Sequence, residues 1–354
     1  MLYITKYQDG KSSFGGMVRV KDIESITKDA EFLTIDYINL LKFHNYKNGN
    51  GNFVYEVGLF RFDKIIPLLK KTKSVYFHTV GNFIKLSPYM YFFSKKKKII
   101  DLHGSQPEEL SYSNQNILSN IFSFFEKIAF RKCDYFIHVS HNMISHFKEK
   151  YSWHNKPDLY VPIFSSNLDL NKKINIYESS KTSRIQLGIN EDEKVFLYSG
   201  GIQAWQKVDC VVNFSRKVIN SGHTVILLSM QAEFFKDQLS DCLDNPNLII
   251  TSAKPEELEK YYLASNFGMM FRDDNVLNVV SSPTKMSEYL YYGIIPVLTS
   301  KKVGDFVNFG IDYIDYNSDI MALDICKSEN NHKMICSKLK SSDKDKLKEI
   351  INEL

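Results

Sequence analysis

The residues best suited to chemistry lie between Ser281 and Val297, in the run Ser-Ser-Pro-Thr-Lys-Met-Ser-Glu-Tyr-Leu-Tyr-Tyr-Gly-Ile-Ile-Pro-Val. Ser282 is a good helix N-cap, and Pro283 suits the first helical position, where its missing N–H is no loss. Gly293 can end the helix in the left-handed conformation before a buried strand begins. The unpaired amides of such a helix start, with Lys285 beside them, form an anion site suited to a diphosphate. Glu288 stands five residues into the helix, about 7.5 Å along its axis, a sensible separation between a diphosphate and its ribose. A carboxylate there can accept hydrogen bonds from two ribose hydroxyls. Cap, cation and carboxylate together describe a nucleoside-diphosphate clamp. Taken alone, Pro-x-Lys-x-x-Glu fits a capped helix with solvated charges equally well.

Other candidates stand at strand exits. The segment Tyr198–Asp209 carries Gly200-Gly201 just after a strand, where a glycine turn lets backbone approach phosphate, and Lys207 follows. Ile100-Asp101-Leu102-His103-Gly104 places His103 at the end of a buried strand, ahead of Glu108 and Glu109. Phe271-Arg272-Asp273-Asp274 closes another strand, and Gly15-Gly16 lies between the first strand and a helix starting near Met17.

The elements that must hold these residues alternate between short β-branched or aromatic runs and helical periodicity. Strands are expected at Leu2–Thr5, Phe32–Asp36, Ser74–His78, Ile99–His103 and Asp134–Val139. A helix is expected over Gln115–Lys132, with Ile117, Ile121, Phe124, Phe125 and Ile128 on one stripe. After a polar stretch near Asn167–Gln186 the pattern restarts, with strands at Val195–Ser199, Thr224–Ser229, Leu248–Thr251, Phe267–Phe271 and Ile294–Leu298. Two such series imply two doubly wound, mostly parallel sheets, with the active site expected in the cleft between the domains. The expected domains are 1–165, 166–319 and a helical tail, 320–354, that crosses back onto the first.

The Ser281–Val297 run resembles the donor-binding segment of family 4 retaining glycosyltransferases, in the branch whose motif reads Ser-Pro-x-Lys-x-x-Glu-Tyr-Leu. That resemblance implies a GT-B architecture, two Rossmann-like domains facing a central cleft, the first binding acceptor and the second binding nucleotide sugar. It implies that Glu288 binds the ribose and that Ser282, Pro283, Thr284 and Lys285 approach the diphosphate. The Tyr198–Asp209 segment is similar to the family's Gly-Arg-x5-Lys-Gly stretch. Lys207 stands at the lysine position and Gly201 at the arginine position, so Arg272 or Lys285 would supply the missing cation. Gly15 and Gly16 match the family's Gly-Gly loop, and His103 its first-domain histidine near the donor sugar. Val139-Ser140 matches a strand-to-helix turn. Where the common family pattern has the first of two glutamates, this chain has Val280.

The implied reaction moves a sugar, with retention, from a UDP- or GDP-linked donor to a glycan or lipid-linked acceptor in bacterial surface-polysaccharide or lipopolysaccharide synthesis. No cofactor or metal is expected, because helix amides and cations would neutralise the leaving group. A sugar-nucleotide 2-epimerase using Glu108 or Glu109, and a catalytically silent partner subunit, are the alternatives. The net charge of +4 argues against a nucleic-acid partner. Five scattered cysteines without a C-x-x-C pair, and no apolar run long enough to span a bilayer, point to a cytoplasmic protein without a secretory signal. Tyr89–Phe93 followed by Lys95–Lys98 makes the inner face of the cell membrane a candidate partner.

Overall fold

The computed structural model describes residues 1–8, 15–27, 30–165, 168–169, 172, 174–254 and 257–353. Ser166, the expected start of the second domain, lies outside them. The chain forms two compact units. One holds Met1–Ile163, Val279–Ser281 and Ser342–Leu354; the other holds Phe164–Asn278 and Ser282–Ser341.

The first unit is built on eight strands: β1 Leu2–Ile4, β2 Glu31–Asp36, β3 Phe43–Lys47, β4 Phe53–Gly58, β5 Ser74–His78, β6 Lys97–Leu102, β7 Tyr135–His138 and β8 Asp158–Tyr160. Their order is β3-β4-β2-β1-β5-β6-β7-β8, and only the β3–β4 pair is antiparallel. The β3–β4 hairpin escapes the sequence reading because β3 is an edge strand with mostly exposed, polar residues. Its turn is held by Asn48, whose Oδ1 accepts from the amides of Asn50 and Asn52, both at 3.0 Å. Tyr3, Phe32, Tyr76, Ile99 and Ile137 carry one face of the sheet into a single core. Leu347 and Ile351 of the helix Lys344–Glu353 join that core, and the Asp343 amide donates to the Tyr160 carbonyl at 2.9 Å.

The second unit has six parallel strands: β9 Val195–Ser199, β10 Thr224–Leu228, β11 Leu248–Thr251, β12 Phe267–Met270, β13 Ile295–Leu298 and β14 Ile314–Asp315. Their order, β11-β10-β9-β12-β13-β14, is the doubly wound order, with its switch point between β9 and β12. Alternate residues of β9 enter opposite cores, Val195 and Leu197 on one side, Phe196 and Tyr198 on the other. Burial on both faces explains why these strands read as unbroken apolar runs.

Two cations brace this unit from within. Lys327 Nζ donates to the carbonyls of Tyr262 (3.2 Å), Ser265 (2.7 Å) and Tyr292 (3.0 Å), which close the helices Leu258–Ala264 and Thr284–Tyr291. Arg184 donates to the Ala264 carbonyl at the end of the helix Leu258–Ala264 and to the loop carbonyls of Asn190, Glu191 and Glu193. Cations at helix C-termini satisfy otherwise unpaired carbonyls and complement the helix dipole.

Candidate functional site

In the second unit Gly200, Gly201, Arg272 and Lys285 come together at the switch point. The Gly200-Gly201 turn leaves β9, and Arg272 follows β12. The helix behind them starts at Thr284, not at Pro283. Pro283 therefore takes the cap position, and having no side-chain acceptor it caps nothing, which corrects the expected role of Ser282. Gly293 adopts the left-handed conformation (φ 68°) just past the helix end, as expected of it.

Lys285 projects from the first turn of this helix toward the glycine turn. Its Nζ donates to Gln206 Oε1 at 2.6 Å and lies 4.5 Å from the centroid of the Tyr198 ring. Tyr198 fixes that acceptor, with its hydroxyl 2.6 Å from the same Oε1. A Cβ on residue 200 would stand 2.1 Å from Lys285 Nζ, so only glycine admits the ammonium here. Burial, then the nearby Arg272 charge, push the Lys285 pKa well below the ordinary lysine value.

Arg272 is itself buried, and its Nη1 donates to the carbonyls of Trp205 (3.3 Å) and Phe271 (3.1 Å). It thus reaches the same turn from the other strand. Among the described residues no carboxylate forms an ion pair with Lys285 or Arg272. Two desolvated, mutually repelling cations therefore stand at the carboxyl end of a parallel sheet without a contact ion pair, Glu288 offsetting the Lys285 charge only from a longer range.

Lys207 is placed differently. It takes a left-handed conformation ahead of the helix Val208–Asn220, and its Nζ pairs with Asp273 Oδ1 at 2.7 Å. The pair raises its pKa and already neutralises it. Lys207 and Arg272 line an open pocket of about 510 Å³ with Asp273, Asp274, Thr299 and Ser300. Gly201 faces the Gln203 side chain, 2.6 Å from a Cβ there. Glu288 Oε2 is 2.6 Å from the Tyr262 hydroxyl, which is 2.8 Å from Ser199 Oγ. Tyr198 and Gln206 stand in the Tyr198–Asp209 segment, but the sequence assigns them no role, and it does not single out Tyr262 at all. Gln206 beside Lys207 was the available signal, whereas nothing local marks Tyr262.

In the first unit His103 follows β6 and is part of a buried network. Asp101 accepts from Arg19 Nε (2.7 Å) and Nη2 (3.1 Å) and from the Tyr76 hydroxyl (2.6 Å). His103 Nε2 lies 3.2 Å from Asp101 Oδ2, without the alignment of a hydrogen bond. Burial alone would raise the Asp101 pKa, but Arg19 and then His103 hold it well below the carboxylate range. His78, fully enclosed, is pushed down to about 3 by burial and is neutral at physiological pH. His78, Asp101 and His103 present donor atoms within 4.8 Å of one another. They fit a metal ion poorly, because Oδ2 of Asp101, the oxygen nearest both histidines, already accepts from Arg19 Nε and the Tyr76 hydroxyl.

Glu108 is also committed. Burial would raise its pKa, but His146, Lys150 (2.7 Å) and Ser105 bring it down to about 2, which leaves it a poor proton shuttle for an epimerase. Gly15 and Gly16 form the first turn of the helix Gly15–Glu24 instead of a loop; residues 9–14 before them are outside the described set. Ser140 caps the helix His141–Lys150, accepting from Met143 N at 2.9 Å, and donates to the buried Val280 carbonyl at 2.7 Å.

The lysine run is not the free cationic patch expected from the sequence. β6 begins at Lys97, so Lys98 is buried, its Nζ donating to the Ser94 carbonyl at 3.1 Å. Lys96 donates to the Thr72 carbonyl, and Lys97 lies 4.0 Å from Asp134. Of the aromatics before it, Tyr89 and Phe93 are buried and Tyr91 is exposed.

No family model matches the sequence, and no curated protein is similar to it in sequence. Solved structures do match along its length. Sucrose-phosphate synthase from Thermosynechococcus elongatus is 12% identical, with a TM-score of 0.65 over 99% of this chain and 98% of that one. HepE from Anabaena, in complex with UDP and glucose, is 12% identical, with a TM-score of 0.57 over 99% and 94%. WaaG, a glycosyltransferase involved in lipopolysaccharide biosynthesis, is 9% identical, with a TM-score of 0.61 over 99% of each chain. At these identities the likeness establishes the fold: the chain has the GT-B fold, two Rossmann-like α/β domains in tandem.

Proposed function

We propose that this chain is a retaining glycosyltransferase that takes a UDP- or GDP-linked hexose and transfers it to a glycan or lipid-linked acceptor. The observation that carries the proposal is the pair of desolvated cations, Lys285 and Arg272, gathered at the switch point with no carboxylate in ion-pair contact among the described residues. A diphosphate supplies the missing charge, and the amides opening the helix Thr284–Tyr291 add donors to it. Glu288, four residues on from Thr284, is held by Tyr262 with one carboxylate oxygen left to receive a ribose hydroxyl. UDP in the HepE structure accords with that reading.

In the reaction the bond between the anomeric carbon and the diphosphate oxygen breaks, and the acceptor oxygen bonds the anomeric carbon on the same face. The departing phosphate takes the acceptor proton, so no side-chain nucleophile is needed. Lys285 and Arg272 stabilise the charge that grows on the leaving diphosphate. His103 is assigned the positioning of the sugar or the acceptor. No divalent cation is needed for this neutralisation. The pathway proposed is bacterial surface-polysaccharide or lipopolysaccharide synthesis, at the inner face of the cell membrane. No helix among the described residues is long and apolar enough to cross a membrane, so attachment there would be peripheral.

A thermal-shift panel of UDP, GDP and their sugars tests the donor reading. A ligand at a hundred times its Kd should stabilise the folded state by about 2.7 kcal/mol. Turnover of the stabilising donor should persist in excess EDTA. No shift with any nucleoside diphosphate would overturn the proposal.

A further inference from the structure

The helix Asn116–Lys132 turns the wrong way for a core helix. Ile117, Ile121, Phe124 and Ile128 fall within about a 60° sector at 3.6 residues per turn, a stripe that the sequence alone would send inward. The structure sends it outward: Ile117 is 79% exposed, Phe124 62% and Ile121 43%, with Leu118 beside them at 44%. The buried face is the opposite one, made of Glu126, Ala129 and Phe130. An apolar stripe this continuous marks an interaction surface.

Charge decides what covers it. Between Ser111 and Lys132 the only carboxylate is Glu126. It is buried, 2.6 Å from Lys150 Nζ, and accepts from the Tyr151 hydroxyl at 2.7 Å. The exposed charges of this helix are Lys127, Arg131 and Lys132, all positive and all C-terminal to Phe124. The half-exposed Trp153 extends the surface, with the Arg131 guanidinium 5.5 Å from its ring centroid. A second copy would offer the same helix, which has no exposed carboxylate to pair with these cations. An apolar face with a basic, aromatic rim matches the boundary between headgroups and acyl chains of an anionic bilayer.

We propose that the outward face of the helix Asn116–Lys132 is a membrane-docking surface for anionic lipid, with Ile117, Ile121 and Phe124 entering the bilayer and Lys127, Arg131 and Lys132 on its headgroups. This deepens the peripheral-membrane part of the function proposed above and leaves the donor site untouched. It also replaces the Lys95–Lys98 run as the basis of attachment.

The test is flotation with vesicles of phosphatidylglycerol and phosphatidylcholine in equal parts, against pure phosphatidylcholine. Ile117→Ser/Ile121→Ser/Phe124→Ser, all at exposed sites, should keep the parent melting temperature and weaken vesicle binding by at least about tenfold. Lys127→Gln/Arg131→Gln/Lys132→Gln should lose the preference for phosphatidylglycerol. Equal flotation of the triple serine variant and the parent overturns the proposal. So does a parent that ignores vesicles but forms a dimer that the serines dissociate. Nucleotide calorimetry on the same variants should be unchanged, so that failure of the donor reading is seen separately.

Discussion

Replacing Lys285 with methionine separates a ligand-binding lysine from a structural one, because the two kinds stand side by side in this unit. Lys327 and Lys285 are both desolvated, and burial pushes both pKa values well below the ordinary 10.5. Lys327 satisfies three helix-end carbonyls, whereas Lys285 has one side-chain acceptor, Gln206, which Tyr198 also bonds. Lys285→Met therefore removes a desolvated charge and leaves no carbonyl orphaned, so stability without ligand should stay within about 1 kcal/mol of the parent or rise. Donor binding should lose a charge-assisted bond of about 1.5–3 kcal/mol, a weakening of about ten- to a hundred-and-fifty-fold. The pH dependences have opposite signs. Between the depressed folded value and the unfolded 10.5, the unfolded chain binds more protons at Lys285, so its contribution to stability rises with pH. Donor affinity falls across the same window, because the diphosphate needs the ammonium. Both slopes should flatten in the methionine variant. Calorimetry with nucleoside diphosphate and urea denaturation across pH measure them. Unchanged nucleotide affinity together with a loss of several kcal/mol of stability would refute the assignment.

Gly200→Ala should act on the same ammonium from the other side: its Cβ, 2.1 Å from Nζ, displaces a flexible side-chain end. Nucleotide affinity should drop about tenfold with little change in melting temperature, and an unaltered titration would show that the ammonium position is immaterial. Lys327→Met should do the reverse. Three carbonyls lose their donor, costing about 3 kcal/mol or more, with nucleotide affinity kept in the folded fraction; a denaturation midpoint like the parent's would discount the bracing role.

The order of elements was legible because parallel strands buried on both faces leave unbroken apolar runs, as at Val195–Ser199 and Phe267–Met270. Gly293 was legible because a left-handed helix end admits few other residues. Lys285 and Glu288 shared a helix by their spacing alone. The sequence carried no information on which charges would be left without partners. Lys207, its nearest match to a phosphate lysine, is taken by Asp273, while Arg272 turns inward to the Trp205 carbonyl. Those pairings join residues 66 and 67 positions apart, and only the sheet order brings β9 and β12 together. Periodicity likewise told that the helix Asn116–Lys132 has an apolar stripe and not where it points. Orientation is set by what the neighbouring elements leave room for: Glu126 faces inward because Lys150 and Tyr151 meet it there, and the isoleucines face out.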